Sequence, residues 1–98
     1  MATSSFIEDS AALSWFDGNG ALHMRVYLSD GNTITERCND GQGWVTGTSF
    51  PGTNVSVTNW LTSGDIHIRV YASYEGAVTE WCFDAPGSGW TKGAFTVS

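Results

Sequence analysis

Leu22-His23-Met24-Arg25-Val26-Tyr27 and Ile66-His67-Ile68-Arg69-Val70-Tyr71 are nearly the same hexapeptide written twice. Ile34-Thr35-Glu36-Arg37-Cys38 matches Val78-Thr79-Glu80-Trp81-Cys82 at the same offset, 44 residues. Gly43-Trp44-Val45-Thr46-Gly47 matches Gly89-Trp90-Thr91-Lys92-Gly93 at an offset of 46, and Trp15 and Trp60 head the two copies. A period in the mid-forties built from short strands is the mark of propeller blades, about 40–50 residues each. Propellers close with about four to eight blades. Two blades in 98 residues therefore predict an oligomer.

Each copy reads as four short strands, expected at 11–16, 21–28, 33–39 and 43–50, then at 55–61, 65–73, 77–83 and 89–97. β-Branched and aromatic residues fill them. Asp17-Gly18-Asn19-Gly20, Asp30-Gly31, Asp40-Gly41, Gly64-Asp65 and Ala85-Pro86-Gly87-Ser88 separate them. Asp-Gly between alternating strands is a hairpin signal, because both central residues tolerate positive φ. The expected organisation is a polar lead-in over 1–10, a first blade over 11–50, a linker over 51–54 and a second blade over 55–98. The fold class is all-β, two four-stranded antiparallel blades per chain. A single eight-stranded sandwich or barrel is the competing arrangement.

Ten acidic residues stand against four basic ones, a net charge of −6. A nucleic-acid partner is disfavoured, since phosphate binding needs a basic patch. An anionic membrane surface is disfavoured for the same reason. No apolar run approaches the roughly 20 residues of a membrane-spanning helix, so membrane insertion is not expected. Met1-Ala2-Thr3-Ser4-Ser5 has neither a basic n-region nor an apolar h-region, so no signal peptide is expected. That leaves a cytoplasmic location or a non-classical route of export. Cys38 and Cys82, like His23 and His67, sit at equivalent places in separate repeats. Positions on neighbouring blades exceed the ~7 Å between Cα atoms that a disulfide permits. Buried thiols are expected, with no metal site and no cofactor.

Arg25 and Arg69 are two of the four basic residues, and each has a glutamate eleven positions later, Glu36 and Glu80. A two-residue loop centred on Asp30-Gly31 pairs positions whose numbers sum to 61, as 25 and 36 do. That places Arg25 opposite Glu36 across the hairpin; Arg69 and Glu80 follow the same rule. A planar fork of donors beside a carboxylate can grip vicinal hydroxyls, which both donate and accept. The plainer reading is a cross-strand ion pair. Trp44 and Trp90 follow Gly-rich turns and offer an indole N–H with a broad apolar face. Trp15 and Trp60 lie within apolar first strands and read as core. His23 and His67 read as bonded to backbone groups, and Asp40 and Asp84 as turn residues.

These motifs, with Asn54-Val55-Ser56-Val57-Thr58 and Gly89-Trp90-Thr91-Lys92-Gly93-Ala94, resemble the fucose-binding lectin family typified by Aleuria aurantia lectin, its short two-blade members above all. The likeness covers about residues 10–97. It implies a homotrimer forming a six-bladed β-propeller that binds L-fucose and fucosylated extracellular glycans between adjacent blades. Carried over, the pocket within one chain uses Arg25, Glu36 and the N–H of Thr48, with Phe83 stacking and Trp90 donating. The pocket between chains uses Arg69, Glu80 and the N–H of Ala94, with Trp44 of the neighbour donating. The family has Trp at both stacking positions; here Phe83 occupies one and Asn39 the other. The resemblance therefore implies two unequal pockets, weak, silent or altered at Asn39.

Three classes of function compete. A multivalent lectin gains avidity from several weak sites on one ring, by about 10²–10⁴. A glycoside hydrolase needs two carboxyls about 5–10 Å apart around one bond; each repeat offers one Glu, and an adjacent Arg keeps it ionised. A propeller binding another glycan or a protein is the third, since one fold hosts many functions.

Overall fold

β-Branched and aromatic residues at alternate positions, broken by glycine-bearing turns, set eight strands in the computed structural model, which describes residues 6–87 and 89–97. They are β1 (Asp9–Phe16), β2 (Leu22–Ser29), β3 (Thr33–Asn39), β4 (Trp44–Pro51), β5 (Asn54–Thr62), β6 (Asp65–Tyr74), β7 (Ala77–Asp84) and β8 (Thr91–Val97). Every expected strand is present, with ends within two residues of those read from the sequence. Residues 1–5 of the expected lead-in and Ser88 of the β7–β8 turn lie outside the described residues. The strands form two separate antiparallel meanders, β1-β2-β3-β4 and β5-β6-β7-β8, one per repeat. Only Gly52 and Thr53 connect β4 to β5. They bond to both sheets: Gly52 N–H donates to Asn32 O at 2.9 Å, and Thr53 N–H to Ser73 O at 2.7 Å.

The two sheets pack through one core, which the strand period of two explains. β6 turns Ile66, Ile68, Val70 and Ala72 toward the first sheet, all buried. The first sheet meets them with Tyr27, Ile34 and Phe50. Aromatic rings tie the contact: Phe50 stacks on Trp81 with centroids 4.9 Å apart and meets Trp90 edge-on at 5.1 Å. The first strands of the two sheets, β1 and β5, run side by side. There Asp9 Oδ2 accepts from Val55 N–H at 2.8 Å, and Asn59 Nδ2 donates to Ser14 O at 3.0 Å.

The register of the β2–β3 hairpin corrects the expected pairing. Arg25 faces Cys38, and Tyr27 faces Glu36; the second copy repeats this, with Arg69 facing Cys82 and Tyr71 facing Glu80. The physical reason is the turn. The loop is Gly31-Asn32, one residue later than expected: Asp30 N–H donates to Thr33 O at 3.2 Å, and Asp30 Oδ1 accepts from Asn32 N–H at 2.9 Å and Thr33 N–H at 2.8 Å. The numbers of paired residues therefore sum to 63. In the second copy Glu75 (φ 51°) and Gly76 (φ 84°) form a tight two-residue turn that reaches the equivalent register.

Candidate functional site

Odd-numbered residues of β2 bring His23, Arg25 and Tyr27 onto the face that meets the second sheet. Glu36 joins them from β3 and is buried, 5% exposed. Tyr27 O–H donates to Glu36 Oε2 at 2.7 Å, and Thr48 N–H donates to Glu36 Oε1 at 3.1 Å. Arg25 Nε stands 3.9 Å from Glu36 Oε2. Across the gap between sheets, Trp90 lies edge-on to Tyr27 at 6.4 Å, with Phe83 at 5.6 Å from its ring. The contacts thus link Arg25, Glu36, Thr48, Phe83 and Trp90 in one neighbourhood.

A bulge delivers the amide. Between Thr35 and Arg37 the pairing slips, so that Gly47 and Thr48 stand opposite Glu36 alone. Gly47 is required there, because a Cβ would run into the Glu36 carboxylate and lie 2.9 Å from Cys38 Sγ. The second copy has one more residue in its bulge, with Gly93, Ala94 and Phe95 opposite Glu80. The extra residue changes the donor: Phe95 N–H reaches Glu80 Oε1 at 3.2 Å. Ala94 N–H also favours that carboxylate, after the stronger Tyr71 hydrogen bond that chiefly holds Glu80 below its usual range.

Three sequence readings are corrected here. Asp40 and Asp84 do more than shape turns: Asp40 Oδ1 accepts from Arg25 Nη1 at 2.8 Å, and Asp84 Oδ1 from Arg69 Nη1 at 2.9 Å. The histidines meet carboxylates instead of backbone. His23 Nδ1 lies 2.7 Å from Asp40 and its Nε2 2.8 Å from Asp17; His67 Nδ1 lies 2.6 Å from Asp84. Trp60 is 43% exposed and so is not core within the chain; Trp15 borders the core. Each tryptophan stacks on its histidine, at 5.0 and 5.1 Å, with an arginine over its ring at 4.9 Å. A spacing could have revealed this: His and Arg two residues apart share a strand face, and both need an acceptor.

Charge follows this geometry. Hydrogen bonds from Arg69 and then His67 hold Asp84 below the usual carboxylate range. Burial would raise Asp40, but bonds from Arg25 and His23 outweigh it and keep it low. Asp17, then Asp40, raise His23. Burial, then the Glu36 charge, push the Tyr27 phenol up and the Cys38 thiol to about 11. Both cysteines are buried and free.

Arg69, Glu80 and Ala94 lie on the outward face of the second sheet. Asn39 and Trp44 are paired across β3 and β4 of the first. The two groups occupy opposite outer faces of the sheet pair. Asn39 Oδ1 accepts from Gly41 N–H at 2.8 Å, so its side chain closes its own turn. No curated protein matches the chain. A family model described as fungal fucose-specific lectin matches residues 6–93.

Proposed function

The chain belongs to the fungal fucose-specific lectin family, carbohydrate-binding proteins without catalysis, and on that premise we propose a multivalent lectin whose three copies close a six-bladed β-propeller. L-Fucose and fucosylated glycans bind between adjacent blades. One observation supports this reading above the rest: residues matched by the repeat are buried where a second blade covers them and exposed where none does. Phe50, opposite Ile34, is 3% exposed, and Val97, at the equivalent place opposite Val78, is 51% exposed. On the opposite faces, Val70 and Ala72 are buried while their counterparts Val26 and Leu28 are only partly so. Trp44 is 45% exposed, and its counterpart Trp90 packs against the core. A neighbour's second blade laid on Val26, Leu28 and Trp44 repeats the contact already present within the chain.

In the pocket within the chain, Arg25 donates from its Nε–Nη2 edge and Glu36 accepts. Thr48 N–H holds the carboxylate in place. Phe83 stacks against the sugar, and Trp90 donates its indole N–H. In the pocket between chains Arg69 and Glu80 take these roles, with the Ala94–Phe95 amides, Trp44 and Asn39 of the neighbour. Asn39 offers no ring to stack on, which weakens that pocket by about 1–2 kcal/mol relative to an aromatic. Calorimetric titration with L-fucose tests the reading. Saturable heat is expected, close to one strong site per chain, and Arg25→Ala removes it. An absence of heat at millimolar sugar would reject fucose and turn the search to other glycans and protein partners.

A further inference from the structure

Arg25 is fixed on three sides before any ligand arrives. Its Nη1 donates to Met24 O at 2.9 Å and to Asp40 Oδ1 at 2.8 Å, which uses both hydrogens of that nitrogen. Its plane lies over Trp15. Arg69 is held in the same way, by Ile68 O at 3.0 Å, Asp84 Oδ1 at 2.9 Å and Trp60. A guanidinium has five N–H donors in a rigid fork. With two spent on the protein, the Nε and Nη2 hydrogens remain for a sugar. The backbone carbonyl comes with any residue sequence, so the aspartate is the part of this clamp that the sequence chooses.

We propose that Asp40 and Asp84 are positioning residues for the sugar-binding arginines, each anchoring the Nη1 edge so that Nε and Nη2 meet the ligand. The inference rests on the pocket assignment above and extends it to two residues outside the sugar contacts. Its energetic logic is pre-organisation: a long side chain already held in its bound rotamer loses less freedom on binding.

The first copy adds a reporter. The groups facing His23 are Asp17 from the β1–β2 turn, Asp40 from the β3–β4 turn, Arg25 on its own strand through the shared Asp40 oxygen, and the Trp15 ring. A carboxylate within hydrogen-bond distance of each ring nitrogen favours donation from both, and so favours the imidazolium. In the second copy Thr62 stands at the position equivalent to Asp17. Sugar binding at Arg25 then couples through Asp40 to His23, and such coupling is reciprocal.

The test compares L-fucose titrations of the full-length parent, Arg25→Ala, Asp40→Ala and Asp40→Asn, with His23 followed by NMR across pH with and without the sugar. Asp40→Ala is expected to weaken binding about tenfold with the trimer intact. Asp40→Asn, which keeps an acceptor oxygen, recovers part of that loss. Fucose should shift the His23 titration in the parent and leave it unmoved in both Asp40 variants. If Arg25→Ala abolishes binding while Asp40→Ala stays within about twofold of the parent, the positioning role is wrong. If Arg25→Ala leaves binding unchanged, the pocket assignment fails and takes this inference with it. Should Asp40→Ala not fold, the isosteric Asp40→Asn decides by whether the fucose-linked His23 shift is lost.

Discussion

Tyr27 and Tyr71 make the same 2.7 Å hydrogen bond to a glutamate in the two copies, but only Tyr27 is sealed from water within the chain. Tyr27→Phe leaves the buried Glu36 short of a donor and is expected to cost about 1–3 kcal/mol in urea unfolding. An unchanged midpoint would contradict that. Titration gives a second expectation. The depressed Asp17, Asp40, Glu80 and Asp84 stabilise the fold above their ordinary values near 4, and that contribution is lost as pH falls toward their folded values. The raised His23 stabilises it below about 6.5, and that contribution is lost as pH rises through its folded value. The urea midpoint should therefore peak between about pH 4.5 and 6.5; a maximum above pH 8 would contradict the clasp. The repeat exposed Arg25, Glu36, Trp90 and their partners in the bare sequence. The aspartates were hidden because Asp-Gly after a strand looks like turn chemistry and nothing more.

The elements were legible because alternation and glycine turns are local signals. Register was not. It depended on which two residues form the loop, and Asp30 settles that on Gly31-Asn32 by pairing with Thr33 and accepting two backbone amides. The bulges escaped the sequence for a similar reason: offsets of 44 and 46 announce extra residues between the copies without saying where they fall. The longer turn before Trp90 accounts for that two-residue excess, and the offset rises to 47 beyond the second bulge. A further residue sits in the second bulge, where it brings Phe95 N–H to Glu80. Gly47→Ala should drive its methyl into Glu36 and cost about 1–3 kcal/mol by overpacking, with loss of fucose binding. A variant that melts with the parent and still binds would show that the bulge is looser than described.

At the scale of the molecule, the repeat predicts an unfinished ring, and in the proposed assembly the next copy covers Val26, Leu28 and Trp44. Val97→Arg sets a charge at the position matching Phe50, facing Arg37 of the neighbour in the proposed ring. It should yield monomers by light scattering; an intact trimer would put the contact elsewhere. Asn39 and Phe83 could be read as departures from a pattern, but in the proposed ring the strength of the pocket at Asn39 depends on packing between copies that a single chain does not contain. Native mass spectrometry of the purified protein titrated with L-fucose reads assembly and occupancy together. A trimer that fills three strong sites, one per chain, before any others is expected. A monomer or dimer that takes up sugar, or a trimer that takes up none, would contradict it.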